Sequence, residues 1–378
     1  IRTVFSIRLS WDYKEAVMAM NISEKAKQHI DACRFCWMCR HICPIGNATG
    51  QERNTARARA LGLSLVVRGA EKTEDVADNI YECALCGACV KECVTGWDPV
   101  MFVQEAKTDA VLSGCIPGYI EKMLENDEKT GNIYGKALPD NYPCAENSSD
   151  TLLFVGVDAR YNDVASVMGA NELFLKAAVK ADILKDEPDS GYDMWFLTGN
   201  TAEAQQKAEE CARVLNKYKT VVVYDPADLS FIKRNYKEWV VNVSARVISF
   251  AGYLLQLIES KKLGVVPSGR EYTVQDSFHT ARELENSAEI RKLVSLCGEN
   301  KEMLLNGKDT FFAGSLIMNE YMPQVMKETA LRRIASAENI GATTVVAESP
   351  AEYLLMRATG TGMRIINVQE MITENLKR

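Results

Sequence analysis

The sequence predicts a helical N-terminal domain followed by a duplicated α/β region built on parallel sheets. Three observations support this fold class. Two runs of four cysteines lie within residues 33–93, where apolar residues recur at helical spacing. After residue 150 the pattern changes to short β-rich runs that alternate with helical stretches, which is typical of parallel sheets covered by helices. Within that second part, two stretches resemble each other.

The composition is that of a globular protein and excludes several classes of function. The chain has 378 residues, 47% of them hydrophobic and 25% charged, and its formal net charge is -7. An acidic chain is a poor match for nucleic acid, whose phosphates attract basic surfaces. The longest apolar stretch, residues 247–258, is too short to span a membrane and predicts a core helix. No signal peptide is expected, and the grouped cysteines favour a reducing compartment: the cytoplasm, or the cytoplasmic face of a membrane complex.

The two cysteine runs, CRFCWMCRHICP at 33–44 and CALCGACVKECV at 83–94, share one spacing. Polypeptides hold [4Fe-4S] clusters with Cys-x2-Cys-x2-Cys-x3-Cys, and the fourth cysteine of such a run binds the other cluster. The spacing therefore predicts two clusters with crossed ligation. One cluster is expected on Cys33, Cys36, Cys39 and Cys93, and the other on Cys83, Cys86, Cys89 and Cys43.

Zinc is the alternative metal for these cysteines. A structural zinc site takes four ligands, commonly as two closely spaced pairs. A third cysteine at the same spacing in each run would not be needed for such a site. His41 lies between Cys39 and Cys43 and is expected to be a polar neighbour of the cysteines. The sequence favours two [4Fe-4S] clusters over a zinc or mixed site.

Changes of pattern divide the chain into four segments. Residues 1–115 predict the helical two-cluster domain, because the stretch between the runs has helical spacing, as in the iron–sulfur subunits of fumarate reductases. Residues 116–150 carry Pro, Gly, Asn and Asp clusters without a long period and predict a linker or wrapping segment. Residues 151–262 and 263–378 predict two α/β repeats.

Seven short β-rich runs predict the strands of the α/β region, with helices between them. The predicted strands are 151–157, 192–198, 220–225, 272–276, 310–314, 343–349 and 363–368. Residues 208–233 and 330–356 share a helix, a β run, an acidic residue, a proline and an apolar helix. This likeness favours an internal duplication.

The pattern from about residue 25 to the end resembles the iron–sulfur subunits grouped with heterodisulfide reductase, the glycolate oxidase iron–sulfur subunit and anaerobic glycerol-3-phosphate dehydrogenase. In this group a helical ferredoxin-like domain with two clusters precedes cysteine-rich CCG repeats. Residues 275–282 (QDSFHTAR) resemble the group's His-Asp-Pro-Cys-His-x-x-Arg turn and keep Asp276, His279 and Arg282. Residues 311–316 (FFAGSL) lie where the group carries Cys-Cys-Gly.

The chain departs from this group where the CCG repeats supply cysteines. Other residue types stand at those positions: Val157, Asp225, Asp228, Phe278, Phe311, Phe312, Ser349 and Glu352. None offers sulfur, so the resemblance implies degenerate CCG-like repeats that have lost the disulfide-cleaving clusters. The acids are expected at helix starts or in solvent, with a carboxylate metal site as the alternative, and the aromatics are expected to fill the vacated volume. The other four cysteines, Cys115, Cys144, Cys211 and Cys297, are expected to be buried and free.

An electron-transfer subunit of a multi-subunit oxidoreductase is the function that this pattern predicts. Its two [4Fe-4S] clusters would relay single electrons between a flavoprotein dehydrogenase, carrying FAD or FMN, and a carrier, a quinone or another subunit. The chain shows no glycine-rich nucleotide fingerprint, so the clusters are its only expected cofactors, and no catalytic residue is predicted. Peripheral association with a membrane stays open. The alternatives are a heterodisulfide or quinone reductase with its own catalytic cluster, and an iron–sulfur sensor.

Overall fold

The N-terminal part of the chain is helical. The computed structural model describes residues 20–33 and 36–377. Ser23 caps the first helix by accepting a hydrogen bond from the backbone N–H of Ala26, as the sequence predicts. Besides a 3-10 helix at Glu52–Asn54, the described residues up to 130 form α1 (Glu24–Asp31), α2 (Met38–Ile42), α3 (Pro44–Thr49), α4 (Ala56–Val67), α5 (Thr73–Tyr81), α6 (Ala88–Glu92), α7 (Pro99–Ser113) and α8 (Gly118–Thr130).

Helices α2 and α6 are matching short helices of the two cysteine runs. Each begins after a residue with positive φ, Trp37 at 69° and Gly87 at 68°. This left-handed backbone conformation turns the chain between the second and third cysteine of each run. Helix α2 packs against α6, so the two runs lie side by side.

The segment 116–150 has more regular structure than the sequence predicts. Helix α8 lies within it and ends at Thr130, and Gly131 follows as a left-handed cap with a φ of 73°. Only one face of α8 is apolar, with Ile120 and Met123 buried. The charged residues on the other face obscure the helical period, which explains the difference.

Two α/β regions follow. The first contains β1 (Thr151–Phe154), α9 (Val157–Asn162), α10 (Val164–Lys176), α11 (Tyr192–Thr198), α12 (Ala202–Leu215), β2 (Thr220–Val223), α13 (Pro226–Glu238), β3 (Arg246–Ser249) and α14 (Phe250–Glu259). The second contains β4 (Glu271–Gln275), a π-helix (His279–Glu283), α15 (Ala288–Cys297), β5 (Glu299–Asn300), a 3-10 helix (Gly307–Asp309), α16 (Leu316–Asn319), α17 (Pro323–Asn339), β6 (Thr344–Ala347), α18 (Pro350–Ala358), β7 (Arg364–Asn367) and α19 (Val368–Glu374).

Each region carries one parallel sheet, which confirms the predicted fold class. The strand order is β1-β2-β3 in the first sheet and β5-β4-β6-β7 in the second. Thr151 lies opposite Thr220 in the first sheet, and Thr344 lies opposite Arg364 in the second. Strands β2 and β6 are buried along nearly their whole length, as expected for parallel strands covered on both faces.

The two regions repeat one order of elements. Helix α12, strand β2 and helix α13 in the first region correspond in order to α17, β6 and α18 in the second. In both, the helix after the strand has a polar cap residue and then a proline: Asp225 and Pro226 in one, Ser349 and Pro350 in the other. This order is the one that the likeness between 208–233 and 330–356 predicts.

Two apolar stretches differ from their predicted structure. Residues 192–198 form helix α11 and no strand, because an apolar run of this length fits either element and the positive φ values of Gly191 and Gly199 bound a helix here. Residues 247–258, predicted as one helix, begin in strand β3 and continue as α14. Burial, which is common to both stretches, does not distinguish the two kinds of element.

The predicted strand at 310–314 is also wrong. The side chain of Gln275 donates to the carbonyl of Phe311, and the carboxylate of Glu352 accepts from the backbone N–H of Ala313. Side chains thus take the hydrogen bonds that a neighbouring strand would otherwise make.

The helical part and the two α/β regions pack on one another. One hydrophobic cluster contains Ile45 and Phe102 from the helical part, Phe196 from the first region, and Phe278 and Met326 from the second. A core shared in this way fixes the cysteine runs relative to both sheets. Over the described residues, the helices lack the length and apolar character needed to cross a membrane.

Candidate metal centre

Three cysteines of the second run and one of the first line a common cavity, here called the inner pocket. Its cysteines are Cys43, Cys83, Cys86 and Cys89. Its other walls are mainly apolar and include Pro44, Ile45, Leu85 and Val100. Four thiols therefore surround one largely apolar volume.

The other four cysteines of the runs line a second cavity, here called the outer pocket. These cysteines are Cys33, Cys36, Cys39 and Cys93. The outer pocket lies nearer to solvent, because Cys36 is exposed and the neighbouring Trp37 and Met38 are 43% and 42% exposed. The guanidinium carbon of Arg57 lies 3.9 Å from the ring centroid of Trp37, so a cation covers this ring.

Each pocket is lined by three cysteines of one run and the last cysteine of the other. Crossed ligation of two clusters needs this grouping. Within 20–33 and 36–377, no three His, Cys, Asp or Glu side chains lie close enough together for a single metal ion. A [4Fe-4S] cluster offers one iron to each of four thiolates, so it suits thiols that surround a volume. The donor set fits this cofactor.

Burial sets the protonation of several of these thiols. It raises the pKa of Cys86 to about 11, and it also raises the pKa of Cys39 and of Cys89. Cys93 differs, because hydrogen bonds to Thr95 outweigh the effect of burial and lower its pKa. Thiols with a raised pKa stay protonated at neutral pH until a bound cation favours the thiolate. Iron would therefore displace protons from the inner pocket.

Arg59 brings a positive charge to the wall of the inner pocket. It lies on α4, is only 3% exposed, and donates hydrogen bonds to the backbone carbonyls of Asn54 and Glu82. Burial lowers the pKa of the guanidinium, but the thiolates of Cys83 and Cys43 outweigh burial and raise it. The arginine stays charged beside a site whose thiolate ligands are anionic.

Arg282 matches the arginine of the His-Asp-Pro-Cys-His-x-x-Arg turn. Its side chain extends from the second α/β region to the second cysteine run. Its guanidinium donates to the backbone carbonyls of Cys86, Lys308 and Thr310. A Cβ atom at Gly87 would lie 3.6 Å from Cδ of Arg282. The arginine thus packs on the turn that follows Cys86.

The two other residues kept from that turn have separate partners. Asp276 pairs with Arg291, with 2.6 Å between Oδ1 and a guanidinium nitrogen. His279 Nδ1 lies 2.9 Å from the carboxylate of Glu283, and its Nε2 lies 3.3 Å from the hydroxyl of Tyr192. Asp276 and His279 do not form an acid–base pair with each other, which agrees with a structural role for the turn.

A third cavity lies between the two α/β regions, where several positions come together at which the resembling group carries cysteine. It is here called the central cavity. The residues named from the sequence that line it are Asp225, Phe278, Phe312, Ser349 and Glu352, whereas Val157, Asp228 and Phe311 lie outside its lining. The rings of Phe278 and Phe312 are buried, with centroids 6.0 Å apart. Ala84 lines both this cavity and the inner pocket, so the two are neighbours.

The acids of the central cavity are buried at helix starts. Asp225 caps α13 by accepting a hydrogen bond from the backbone N–H of Ala227, as expected. Glu352 accepts through Oε1 from Ala313 and Gln275, and its Oε2 has no partner in the described part of the chain. Burial raises the pKa of both carboxyls to about 8. Burial therefore favours the neutral form of these two carboxyls. Asp225 and Glu352 lie at the starts of α13 and α18, as expected, and neither side chain is exposed to solvent.

The four remaining cysteines only partly match their expectation. Cys211 and Cys297 are buried and free. Cys144 is exposed and Cys115 is partly exposed, so burial of all four is wrong. Both exceptions lie in connecting segments, which run over the surface.

Lys107 is a candidate that sequence reasoning missed. It lies on α7, has no exposed surface, and donates from Nζ to the backbone carbonyl of Phe196 at 2.7 Å. Its signal in the sequence is its place among the buried residues Val103 and Ala110, four positions before it and three after it. A lysine on an apolar helix face needs a partner for its charge.

The helical domain with its two cysteine-lined pockets defines the class of protein. Residues 29–97 match the family model described as a 4Fe-4S dicluster domain. The chain is thus an iron–sulfur protein with a ferredoxin-type 4Fe-4S domain at the start of its described part, followed by parallel-sheet α/β regions.

The particular resemblance is to the D subunit of heterodisulfide reductase. The chain is 23% identical over 192 residues to the D subunit of the dihydromethanophenazine:CoB–CoM heterodisulfide reductase of Methanosarcina mazei, which covers 44% of this chain and 46% of that protein. The protein of the same name from Methanosarcina barkeri is 23% identical over 190 residues, with the same shares covered. These matches confirm the resemblance that the motifs predict, and they span about half the length of the relatives.

One solved structure has a similar fold. The crystal structure of a hypothetical protein from Helicobacter pylori matches 95% of this chain and 74% of its own, with a TM-score of 0.55 at 11% identity. At that identity the likeness concerns the fold alone.

Proposed function

We propose that the chain is an electron-transfer subunit that holds two [4Fe-4S] clusters. Cys33, Cys36, Cys39 and Cys93 would bind one cluster in the outer pocket. Cys83, Cys86, Cys89 and Cys43 would bind the other in the inner pocket. The grouping of the eight cysteines around two cavities is the observation that carries the proposal. When bound, a [4Fe-4S] cluster supplies one-electron redox chemistry.

The two pockets differ in their access to partners. The outer pocket reaches the surface at Cys36, Trp37 and Met38, whereas the inner pocket borders the central cavity. Because α2 packs against α6, the two pockets lie next to each other, so electrons would pass directly from one cluster to the other. Electrons would therefore pass between the chain and its partner at the outer pocket.

The partner would be a flavoprotein dehydrogenase carrying FAD or FMN, with a carrier, a quinone or another subunit as the acceptor. The relatives are named as subunits of a reductase, which supports a multi-subunit setting. The two α/β segments, 151–262 and 263–378, would serve as scaffold and docking surface. A reducing compartment, the cytoplasm or the cytoplasmic face of a membrane complex, suits the unpaired cysteines.

A heterodisulfide reductase is the second candidate, because the relatives carry that name. Its catalytic cluster would have to lie at the former cysteine positions around the central cavity. The lining there supplies carboxyls, hydroxyls and aromatic rings but no cysteine. This donor set does not fit an iron–sulfur cluster, which needs soft sulfur ligands.

Iron and acid-labile sulfide assays on the anaerobically purified chain test the main proposal. Two clusters correspond to about eight iron and eight sulfide per chain. Zinc without labile sulfide would refute the proposal. Reduction of a heterodisulfide by the chain alone, with an artificial electron donor, would favour the second candidate.

A further inference from the structure

The ammonium group of Lys107 is buried where the helical domain meets the first α/β region. Its Nζ lies 4.1 Å from the ring centroid of Phe196 and 5.2 Å from that of Tyr81. Its hydrogen bond goes to the carbonyl of Phe196. Within the described part of the chain, no carboxylate forms an ion pair with it.

Such an environment compensates a full positive charge only in part. An ammonium has three N–H donors, and a carbonyl dipole and two ring faces each contribute a fraction of the interaction that an anion would give. A buried ion without a counter-ion is costly, because it has lost its hydration and gained no opposite charge. Negative charge near Lys107 would therefore stabilise its protonated form.

The inner pocket is the place from which that charge would come. Val100 of α7 lines this pocket, and Lys107 lies two turns further along the same helix. The ring of Tyr81, which its ammonium faces, is two residues before Cys83. Burial lowers the pKa of Lys107 to about 7, while the Cys83 thiolate raises it and Arg59 lowers it further. The groups of the chain thus offset the burial of Lys107 only in part, whereas a cluster with four thiolates carries more negative charge.

We propose that Lys107 is the buried counter-ion of the [4Fe-4S] cluster in the inner pocket and that its charge raises the midpoint potential of this cluster. The inference rests on the proposed function. Reduction adds an electron to an already anionic group, and a fixed cation in a poorly polarisable interior stabilises the reduced form more than the oxidised form. Lys107 would then be a positioning residue for electron transfer, and it would draw electrons toward the interior of the chain.

Lys107→Gln tests the proposal, because glutamine removes the charge and keeps an N–H donor for the Phe196 carbonyl. The measurement is an EPR-monitored redox titration of the full chain, purified anaerobically with both clusters. The midpoint potential of the inner cluster should move to a more negative value, and that of the outer cluster should stay unchanged. Lys107→Met is a second neutral variant and should give the same shift.

Two further variants separate charge from structure. Lys107→Arg keeps the positive charge and should keep the wild-type potential. Lys91 lies on α6 between Cys89 and Cys93, but it is exposed and paired with Asp309. Solvent screens its charge, so Lys91→Gln should leave the potential of the inner cluster nearly unchanged.

Several results would overturn the proposal. An unchanged inner potential in both neutral variants with full iron content would do so, as would equal shifts of both clusters, or a shift in Lys91→Gln as large as in Lys107→Gln. If both neutral variants lose the inner cluster, retention of that cluster in Lys107→Arg supports the counter-ion role, and its loss there contradicts it. The proposed function fails separately, at the iron and sulfide assay of the wild-type chain.

Discussion

The guanidinium of Arg282 donates a hydrogen bond to the backbone carbonyl of Cys86, although 196 positions separate the two residues. The same side chain also donates to the carbonyls of Lys308 and Thr310. A rigid planar donor with three bonded carbonyls holds the turn after Cys86 against the second α/β region. A region without cluster-binding cysteines thereby still contributes to the shape of the inner pocket.

Replacing Arg282 should therefore weaken the inner cluster selectively. Arg282→Met leaves three carbonyls without this donor, and hydrogen bonds to charged groups contribute about 1.5–3 kcal/mol each. We expect iron release from the inner pocket to a chelator to be at least about tenfold faster, since 1.4 kcal/mol corresponds to a factor of ten. Time-resolved EPR measures how fast each of the two clusters is lost. Arg332→Met removes a more exposed arginine that pairs with Glu328 and should have no effect. Faster loss of the outer cluster would contradict the role given to Arg282.

Exchanging the fourth cysteine of each run tests the crossed ligation. Cys43→Ser should damage the cluster of Cys83, Cys86 and Cys89, because Cys43 lines that pocket. Cys93→Ser is the matched control and should damage the cluster of the first run. The EPR signal of one cluster should fall in each variant while the other signal persists. The opposite pattern would show that each run binds its own cluster.

The sequence predicts how the eight cysteines of the runs are grouped, but it does not predict which distant residues surround them. Ligand spacing is a local property, so the motif itself predicts which cysteines group together. Lys107 contacts Phe196 across 89 positions and Arg282 contacts Cys86 across 196, and such pairs depend on how whole elements pack. Residues 192–198 show the other limit, because a short buried apolar run has the same composition as a strand or a helix.

The four cysteines outside the runs should be dispensable for metal content. Cys115→Ser and Cys144→Ser change partly exposed or exposed residues and should alter neither iron content nor stability measurably. Cys211→Ala and Cys297→Ala each remove a buried sulfur and should lower the free energy of unfolding by roughly 1 kcal/mol. Iron assays and thermal unfolding of the quadruple variant measure both properties. A fall in iron per chain would reveal a further metal site.

Glu352 should make the chain less stable as the pH rises. Burial raises the pKa of Glu352 to about 8, whereas an unfolded glutamate titrates at about 4.3. Between those values the folded chain keeps a proton that the unfolded chain has released, so the free energy of unfolding falls as the pH increases from about 4.3 to about 8. Lowering the pH through this range should restore stability.

Glu352→Gln removes this titrating group and keeps an oxygen that can accept from Ala313. The variant should be more stable than the wild type at pH 8, by on the order of 1 kcal/mol or more, and the gain should shrink toward pH 5. Anaerobic thermal unfolding across this pH range measures the difference.

Asp225 keeps its own raised pKa in the variant, so part of the pH dependence should persist. Glu128→Gln, on the exposed face of α8, is the control and should follow the wild-type curve. If Glu352→Gln is less stable than the wild type at pH 8, Glu352 is ionised in the folded chain, and the central cavity holds a carboxylate whose charge is balanced from within the cavity.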